Sequence, residues 1–222
     1  LETFDRLDRL GSEDAAEHKP LPTGIAELDT VITGLNKSDL VILAARPGIG
    51  KTSFALNIAN HVAQNAKRRV AFFSLEMGKE QLASRLLSIV ALVEGTKLRT
   101  GDLTDNEWRR IIEAGDLLGR SELFFDDTPG ITVPEMKAKV RRLKNVDLLV
   151  IDYLQLMNSA RRIDNRVQEV SEITRSLKIM AKELNIPVLA LSQLSRSGAD
   201  GKPRLTDLRD FGSIEQDADI VM

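Results

Sequence analysis

The chain has 222 residues, 42% of them hydrophobic, and a formal net charge of −2. Its length and composition predict one α/β domain with a large core, and the slightly acidic charge excludes a generally basic surface that would hold nucleic acid by electrostatics alone. Because cysteine is absent and no segment approaches the roughly eighteen apolar residues that span a bilayer, we expect a cytoplasmic protein without disulfides, thiolate metal sites or membrane contact.

The first twenty residues predict a leader that precedes the domain. Within a charged segment, an apolar residue recurs at every third position: Leu1, Phe4, Leu7 and Leu10. This stripe is too short for a stable isolated helix, so it either docks on a partner or frays. Residues 11–22 are small, charged and proline-bearing, as is typical of a linker. We therefore place the domain at residues 21–222.

A phosphate-binding loop is predicted between an apolar run and an amphipathic one. Residues 40–44 are wholly apolar, as in a parallel strand that is buried on both faces. From residue 53 onward, apolar side chains recur at the steps of one helical face: Phe54, Ala55, Ile58, Ala59 and Val62. The turn between the two matches the pattern G-x-x-x-x-G-K-[ST], except that Ala45 occupies the first glycine position.

This turn has the residue types that nucleotide phosphates require. Gly48 and Gly50 supply the φ freedom and the close approach that bound phosphates need. Lys51 would reach the β- and γ-phosphates, and the hydroxyl of Thr52 would bind Mg²⁺ near the positive end of the helix. A glycine-rich turn with a solvated Lys51 is the alternative, and the flanking strand and helix argue against it. The predicted nucleotide-binding residues are Arg46, Pro47, Gly48, Ile49, Gly50, Lys51, Thr52 and Ser53.

Glu76 follows a second buried strand, which is predicted at residues 70–73. Ligands of open α/β sheets gather at the carboxyl ends of the strands, which would place this carboxylate at the nucleotide site. Glu76 could equally act as a favourable carboxylate at the N-terminal end of the helix predicted at residues 79–93. The residues alone leave both interpretations open.

Two capping boxes predict where two further helices begin. Thr104 is followed by Glu107, and Thr132 by Glu135, at the spacing of this motif. The first helix carries the apolar residues Trp108, Ile111, Ile112, Leu117 and Leu118. The second helix directs Met136, Val140 and Leu143 inward. Its basic residues form a solvated outer face rather than a nucleic-acid patch: Lys137, Lys139, Arg141, Arg142 and Lys144.

Asp152 ends a third apolar strand, at residues 147–152. This strand looks like a Walker B element, in which Asp152 would hold Mg²⁺ through water or through Thr52. A strand-terminal Asp also caps ordinary turns, but its position downstream of a phosphate loop favours the metal role.

The last predicted elements add a fourth strand end. An amphipathic helix at residues 167–184, explained by core packing, leads to a strand at residues 187–192, and Gln193 follows that strand. An amide there could orient the attacking water or sense the γ-phosphate. Residues 195–202 are polar and glycine-bearing, which predicts a mobile loop. Residues 219–222 predict a strand without an exit, so we expect the sequence to be truncated.

These motifs together resemble a known family. The arrangement of Lys51, Glu76, Asp152 and Gln193 on successive strand ends resembles the RecA-like ATPase core. The amino-acid sequences of several segments are similar to those of the DnaB-type replicative helicases of bacteria and phages. Alanine is common in that family at the position of Ala45. The segments that carry the resemblance are Leu21-Pro22-Thr23-Gly24 with Leu28-Asp29, Ala45-Arg46-Pro47 with Gly50-Lys51-Thr52, Ser74-Leu75-Glu76-Met77, Leu98-Arg99-Thr100-Gly101, Ile151-Asp152-Tyr153-Leu154-Gln155-Leu156, Leu191-Ser192-Gln193-Leu194-Ser195-Arg196, Asp207-Leu208-Arg209-Asp210 and residues 212–219.

The resemblance implies a RecA-like P-loop fold, with a mostly parallel central sheet and helices on both faces. It further implies a homo-hexameric ring that encircles single-stranded DNA, binds ATP and Mg²⁺ at subunit interfaces, and translocates in the 5′ to 3′ direction to unwind duplex DNA. Primase and a helicase loader are the other partners that it implies. Residues 1–10 resemble the end of the linker helix that packs on the neighbouring subunit.

The resemblance also assigns roles to residues. Lys51 and Thr52 bind phosphate and Mg²⁺, and Asp152 is the Walker B carboxylate. Glu76 is the general base for the hydrolytic water, and Gln193 senses the γ-phosphate.

A channel loop is assigned in the same way. Arg209, Asp210 and Gly212 match the loop that touches DNA phosphates, largely through backbone N–H groups. The departures from the family are Asp210, where Glu is frequent, and Phe211, where a small residue is usual. The arginine finger would lie beyond Met222, so we expect this chain alone to hydrolyse ATP slowly.

Two alternatives stand beside the helicase. A RecA-type recombinase or a clock-type ATPase shares the phosphate loop and Asp152, but not the segment at residues 207–219. A non-catalytic module would bind nucleotide only to assemble a ring, and the presence of Lys51 and Glu76 argues against it.

Overall fold

The structure is a computed structural model that describes residues 19–194, 208 and 214–222. Within these residues strands alternate with helices, as in α/β folds. In chain order the elements are α1 (Ala26–Ile32), β1 (Leu40–Ala45), α2 (Lys51–Gln64), β2 (Val70–Ser74), α3 (Lys79–Ala91), α4 (Gly95–Thr100), α5 (Asp105–Gly119), β3 (Leu123–Asp126), α6 (Val133–Leu143), β4 (Leu148–Asp152), a 3₁₀ turn (Leu154–Leu156), α7 (Arg166–Leu184), β5 (Val188–Gln193), α8 (Ile214–Asp217) and β6 (Ile220–Val221).

The strands form one parallel sheet, which confirms the predicted fold class. Its six strands lie in the order β3-β2-β4-β5-β1-β6. Ala45 of β1 lies opposite Gln193 of β5, and Ser74 of β2 lies opposite Asp152 of β4. Because all strands run in one direction, their carboxyl ends share one edge of the sheet. The predicted site residues that follow β1, β2, β4 and β5 therefore lie along that edge.

Two apolar cores cover the two faces of the sheet. Side chains alternate along each strand, so Leu40 and Ile42 of β1 join one core while Val41 and Leu43 join the other. The first core packs against α6 and α7, and the second packs against α2 and α3. Every residue of β2 and β4 is buried, which explains why these strands appear in the sequence as continuous apolar runs.

The predicted helices are present, with small shifts of their ends. α2 buries four of the five predicted apolar residues, and Phe54 packs half-buried at the edge of that core. α3 ends at Ala91 rather than at Val93, because Leu92 adopts the left-handed conformation with a φ of 52°. Both predicted capping boxes are present, one at the start of α5 and one at the start of α6.

Some apolar side chains of these helices lie outside the core. α5 packs on α3 through a small third cluster that includes Ile111 and Ala114. Three of its other large apolar side chains are about half exposed: Trp108, Ile112 and Leu117. The prediction that core packing accounts for the apolar residues of α7 is wrong for Val167, because the buried face of this helix begins only at Val170. In the described ranges, no helix is both long enough and apolar enough to cross a membrane.

Candidate functional site

The turn between β1 and α2 has the backbone conformation that its glycines predict. Gly48 and Gly50 have φ angles of 81° and 96°, in the left-handed region that disfavours any residue with a side chain. Gly50 is the N-terminal cap of α2, and its position offers no side-chain cap to the first helical turn. The N–H groups of that turn have no partner within the helix. They are therefore available to an anion at the positive end of α2.

A cleft of about 580 Å³ lies over this turn, within the usual size range of ligand pockets. Glu76 and Gln193, which follow β2 and end β5, both line it. Ile49 is the one predicted nucleotide-binding residue outside the lining, and its side chain is 68% exposed. The other lining residues are Ala45, Arg46, Pro47, Gly48, Gly50, Lys51, Thr52, Ser53, Met77 and Arg85.

Thr52 and Asp152 meet at the base of the cleft. The Thr52 hydroxyl donates a hydrogen bond of 2.6 Å to Oδ2 of Asp152, and both residues are buried. This contact joins the first turn of α2 to the end of β4. The structure thus brings together the two residues that the sequence predicts as Mg²⁺ ligands.

The ammonium group of Lys51 lies beside this pair. Its Nζ is 3.7 Å from Oδ1 of Asp152 and 4.1 Å from the centre of the Tyr153 ring. Within the described residues, neither this Nζ nor this Oδ1 has a hydrogen-bond partner, although both are buried. Burial lowers the pKa of the Lys51 ammonium, and the carboxylates of Asp152 and Glu76 oppose that shift. Buried charged groups are normally hydrogen-bonded, so this pair fits a site for a further anion and a cation.

A short turn presents Glu76 at the mouth of the cleft. The Ser74 hydroxyl donates to the carbonyl oxygen of Met77 at 2.7 Å and accepts from the Met77 N–H at 3.2 Å. Glu76 is exposed between these two residues. α3 begins later, at Lys79, and Glu80 is the acidic residue of its first turn. The structure therefore places Glu76 at the cleft rather than in the first turn of α3.

The donor set of the cleft fits Mg²⁺ bound together with a phosphate. Among the residues that the structure describes, no group of three or more His, Cys, Asp or Glu side chains could hold a metal ion. Thr52 and Asp152 supply hydroxyl and carboxylate oxygens, which are the ligand types that Mg²⁺ prefers. Magnesium usually keeps several waters and takes further oxygens from substrate phosphates, so two protein ligands are enough.

Comparison with known proteins identifies the family. The model of the DnaB-like helicase C-terminal domain matches residues 20–222. The chain belongs to this family. The match to a DnaB-like domain argues against the RecA-type recombinase and the clock-type ATPase, which were the alternatives on the same fold.

Relatives of this DnaB-like domain cover the whole chain. The replicative DNA helicase DnaC of Bacillus subtilis (strain 168) and the replicative DNA helicase DnaB of Geobacillus stearothermophilus are each 49% identical to it over 228 residues. The alignment covers 100% of this chain and 50% of each relative. The chain therefore spans about half the length of these relatives.

Solved structures confirm the fold of the DnaB-like domain. One solved ATPase domain superposes with a TM-score of 0.90 at 34% identity, over 99% of this chain and 80% of that one. A DnaB-like replicative helicase, described with its interactions with primase, superposes with a TM-score of 0.86 at 36% identity. That alignment covers 91% of this chain and 52% of the other chain.

Sequence reasoning missed several residues at the site of this DnaB-like domain. Arg85 on α3 lines the cleft, and Tyr153 lies against Lys51. Ser74 closes the turn before Glu76, and Gln155 contacts the end of β5. The one available signal was that Ser74, Tyr153 and Gln155 lie within the segments that resemble the family. Nothing in the sequence marks Arg85 as a site residue, because an exposed cation on the outer side of a helix is common.

The predicted DNA contacts of the DnaB-like domain lie outside the described residues. Arg209, Asp210 and Gly212 belong to that part of the chain, as does Phe211. Their roles stay predictions that rest on the resemblance of the segment.

Proposed function

We propose that this DnaB-like domain binds ATP with Mg²⁺ in the cleft and hydrolyses it as the motor of a replicative DNA helicase. One observation carries the proposal: Lys51 Nζ and Asp152 Oδ1 are buried side by side, next to a helix N-terminus, and neither atom has a hydrogen-bond partner among the residues that the structure describes. A phosphate would give the ammonium its hydrogen bonds, and a magnesium ion would use the carboxylate oxygen. The phosphate and the magnesium ion of Mg-ATP would thus each supply a partner to one of these two groups.

Binding follows from the turn and its two neighbours. The N–H groups at the start of α2, which have no partner within the helix, would hold phosphate oxygens, and Lys51 would neutralise charge on the β- and γ-phosphates. Thr52 and Asp152 would hold Mg²⁺, which when bound would neutralise negative charge on the β- and γ-phosphates. The pair is already oriented by its hydrogen bond of 2.6 Å.

Hydrolysis needs a base and a group that responds to the γ-phosphate. Glu76 lies at the exposed mouth of the cleft, where its carboxylate can reach a water molecule that attacks the γ-phosphate. Gln193 lines the same cleft from β5, and its amide can donate to the γ-phosphate or orient the water. In these roles both side chains act in hydrolysis, and neither is needed for most of the affinity for nucleotide.

The wider activity is proposed from the family. The domain would occupy residues 21–222 after a linker at residues 1–20, which is supported by the backbone pairing of Leu21 with Leu35 and by the family match from residue 20. Six copies would form a ring on single-stranded DNA, translocate 5′ to 3′ and place ATP between subunits. Primase and a helicase loader would be partners. The replicative helicase names of the relatives, and the primase named with one solved neighbour, support this assignment.

The first prediction separates binding from hydrolysis. Lys51→Ala should weaken Mg-ATP binding at least tenfold, because one charge-assisted contact of this kind contributes about 1.5–3 kcal/mol. Glu76→Gln should bind ATP with unchanged affinity and lose at least 99% of hydrolysis, since a positioned base typically contributes about 10²–10⁴ in rate. Titration with a fluorescent ATP analogue and steady-state phosphate release, both on the full-length protein, measure the two effects.

Glu80→Gln is the matched control for Glu76→Gln, because it changes a neighbouring exposed carboxylate that does not line the cleft. It should leave both measurements unchanged. Equal loss of nucleotide affinity in Lys51→Ala and Glu76→Gln would contradict the separate roles. ATP binding without any hydrolysis by the unaltered full-length protein on single-stranded DNA would favour the non-catalytic assembly module instead.

A further inference from the structure

Gln193, the last residue of β5, has no strand neighbour on one side among the residues that the structure describes. Leu194 donates its N–H to the carbonyl oxygen of Ala45 at 2.9 Å, so the backbone groups of Leu194 point toward β1. Backbone groups of successive strand residues point to opposite sides, so those of Gln193 point toward β4. The pairing of β4 with β5, however, ends at Ile151 and Ala190. The N–H and C=O of Gln193 therefore face a position that β4 no longer fills.

The side chain of Gln155 fills that position. Its Nε2 donates to the carbonyl oxygen of Gln193 at 3.1 Å, and its Oε1 accepts from the Gln193 N–H at 3.3 Å. Nε2 also donates to the hydroxyl of Ser192 at 2.8 Å. A primary amide has the same donor and acceptor as a peptide group, so Gln155 extends the ladder of β5 with a side chain instead of a strand. Because the Gln193 backbone offers one donor and one acceptor, only this orientation of the amide satisfies both.

Gln155 is itself held in place by a hydrogen bond to its backbone. It lies in the 3₁₀ turn three residues after Asp152, and its carbonyl oxygen accepts a hydrogen bond from the Arg166 guanidinium at the start of α7. The same guanidinium donates to the carbonyl oxygen of Met157 at 3.3 Å and pairs with Glu169. The amide that contacts Gln193 is thus fixed between the end of β4 and the start of α7.

We propose that Gln155 is a positioning residue that sets the place of Gln193 at the nucleotide cleft. This inference rests on the proposed function, because it assigns to Gln155 the support of the γ-phosphate sensor. Without the amide, the N–H and C=O of Gln193 lose their partners, and the peptide is free to rotate toward water. The side chain of Gln193 then no longer has one position over the cleft. Nucleotide still binds through the phosphate loop, which Gln155 does not touch.

The test compares the kcat of ATP hydrolysis with the affinity for nucleotide in variants of the full-length protein. Gln155→Leu should lower kcat about tenfold, which is less than the roughly 10²–10³ lost when a transition-state donor is removed outright. The affinity for ADP should stay within about twofold of the unaltered protein, which also shows that the variant is folded. Ser192→Ala is the matched control: it removes one contact of the Gln155 amide, keeps both contacts with Gln193, and should leave kcat unchanged.

Gln155→Glu gives a signature that a merely structural role would not produce. Ionised, the introduced carboxylate accepts from the Gln193 N–H but repels the Gln193 carbonyl oxygen; protonated, it again has a donor for that carbonyl. The ratio of its kcat to that of the unaltered protein should therefore rise as the pH falls from about 8 toward about 5. A ratio that stays constant with pH would overturn the proposal.

Double substitution shows whether Gln155 acts through Gln193. In a Gln193→Ala background, Gln155→Leu should cause no further loss of kcat, because the group that it positions is gone. An equal loss in both backgrounds would overturn the positioning role. A normal kcat in Gln155→Leu, with a lowered kcat in Gln193→Ala, would overturn this inference and leave the proposed function intact. A normal kcat in Gln193→Ala would overturn the sensor role and this inference together.

Discussion

At the scale of single residues, the two oxygens of Asp152 have different surroundings. Oδ2 accepts the hydrogen bond from Thr52, whereas Oδ1 has no hydrogen-bond partner among the described residues and lies 3.7 Å from the ammonium of Lys51. A wholly buried carboxylate is costly unless it is fully paired. The half-paired state of Asp152 is thus unfavourable for folding alone. The proposed role in binding a metal ion would account for it, since a cation would engage the second oxygen.

Asp152→Asn tests this division of roles. The amide oxygen can still accept from Thr52, but an NH₂ group replaces the oxygen that would face Mg²⁺ and repels Lys51. We expect ATP affinity without Mg²⁺ to change little, and the gain in affinity on adding Mg²⁺ to fall by about tenfold or more. Titration of the 222-residue chain with ATP, in excess Mg²⁺ and then in excess chelator, measures both quantities.

The control lies at the opposite end of the same strand. Asp147 precedes β4, accepts a hydrogen bond of 2.9 Å from the Arg69 N–H, and is far from the cleft lining. Asp147→Asn should therefore leave the response to Mg²⁺ unchanged. A full response to Mg²⁺ in Asp152→Asn would remove Asp152 from the metal site.

The sequence predicts the site residues that belong to a local pattern, and it misses those that depend on strand pairing. Lys51 and Thr52 follow from one continuous motif with its flanking strand and helix. Gln155 could not be predicted in this way, because its contact with Gln193 spans 38 positions and exists only where β4 ends before β5 does. Arg85 was missed for a similar reason: its place at the cleft depends on how α3 packs over the sheet.

At the scale of elements, local signals predict helix starts better than they predict exposed faces. Both capping boxes consist of contacts within four residues, so the sequence determines them almost alone. Which apolar residues of α5 are buried depends instead on its neighbours. Ile111 packs toward α3, while Trp108 and Ile112 remain exposed, although all three fit one apolar pattern. Periodicity predicts that α5 is a helix, but not how wide its contact with α3 is.

The capping box of α5 should make stability depend on pH. The hydrogen bond from Lys97, together with those from Thr104, lowers the pKa of Glu107 to about 2 from an ordinary value near 4.5. Because the folded state favours the ionised carboxylate, its contribution is present above about pH 5 and is lost as the pH falls through the range between the two values. Glu107→Gln should lower Tm by about 2–4 °C at neutral pH. The difference should shrink as the pH falls toward about 3.

Glu113→Gln is the comparison for this measurement. Glu113 is exposed on the same helix and, in the part of the chain that the structure describes, its carboxylate makes no hydrogen bond or ion pair. Its substitution should leave the dependence of Tm on pH as it is in the unaltered chain. If the Tm difference between Glu107→Gln and the unaltered chain were the same at every pH, the contacts with Lys97 and Thr104 would contribute nothing that depends on charge.

At the scale of the whole molecule, the cleft is a product of topology. The residues that line or close it come from the ends of β1, β2, β4 and β5, which are distant in sequence and adjacent only because all the strands are parallel. The alternation of apolar runs and amphipathic helices predicts such a sheet, but it does not predict the strand order. Superposition on solved relatives at 34–36% identity shows that this arrangement persists while most residues differ.

The net charge of the whole chain shapes the last prediction. With a charge of −2, the molecule has no excess of positive charge to attract DNA, so any binding must come from a few local contacts. If residues 209–212 hold DNA phosphates in an assembled ring, the logarithm of affinity for single-stranded DNA should fall with the logarithm of salt concentration. The expected slope is about −0.7 for each phosphate contact. Preference for DNA sequence should be slight, because phosphate contacts carry no base information.

Arg209→Ala should make this slope shallower by about 0.7 per subunit contact that it removes, and it should leave nucleotide affinity unchanged. Arg141→Ala is the matched control, because Arg141 belongs to the exposed basic face of α6 that we predict to be solvated. It also removes one positive charge, so a general effect of charge would change the slope in both variants. The loss of a specific contact would change the slope only in Arg209→Ala. Fluorescence anisotropy of a labelled oligonucleotide over a series of salt concentrations measures the slopes. Equal slopes for Arg209→Ala and the unaltered protein would remove Arg209 from the proposed DNA contacts. A shallower slope for Arg141→Ala would assign DNA contacts to α6.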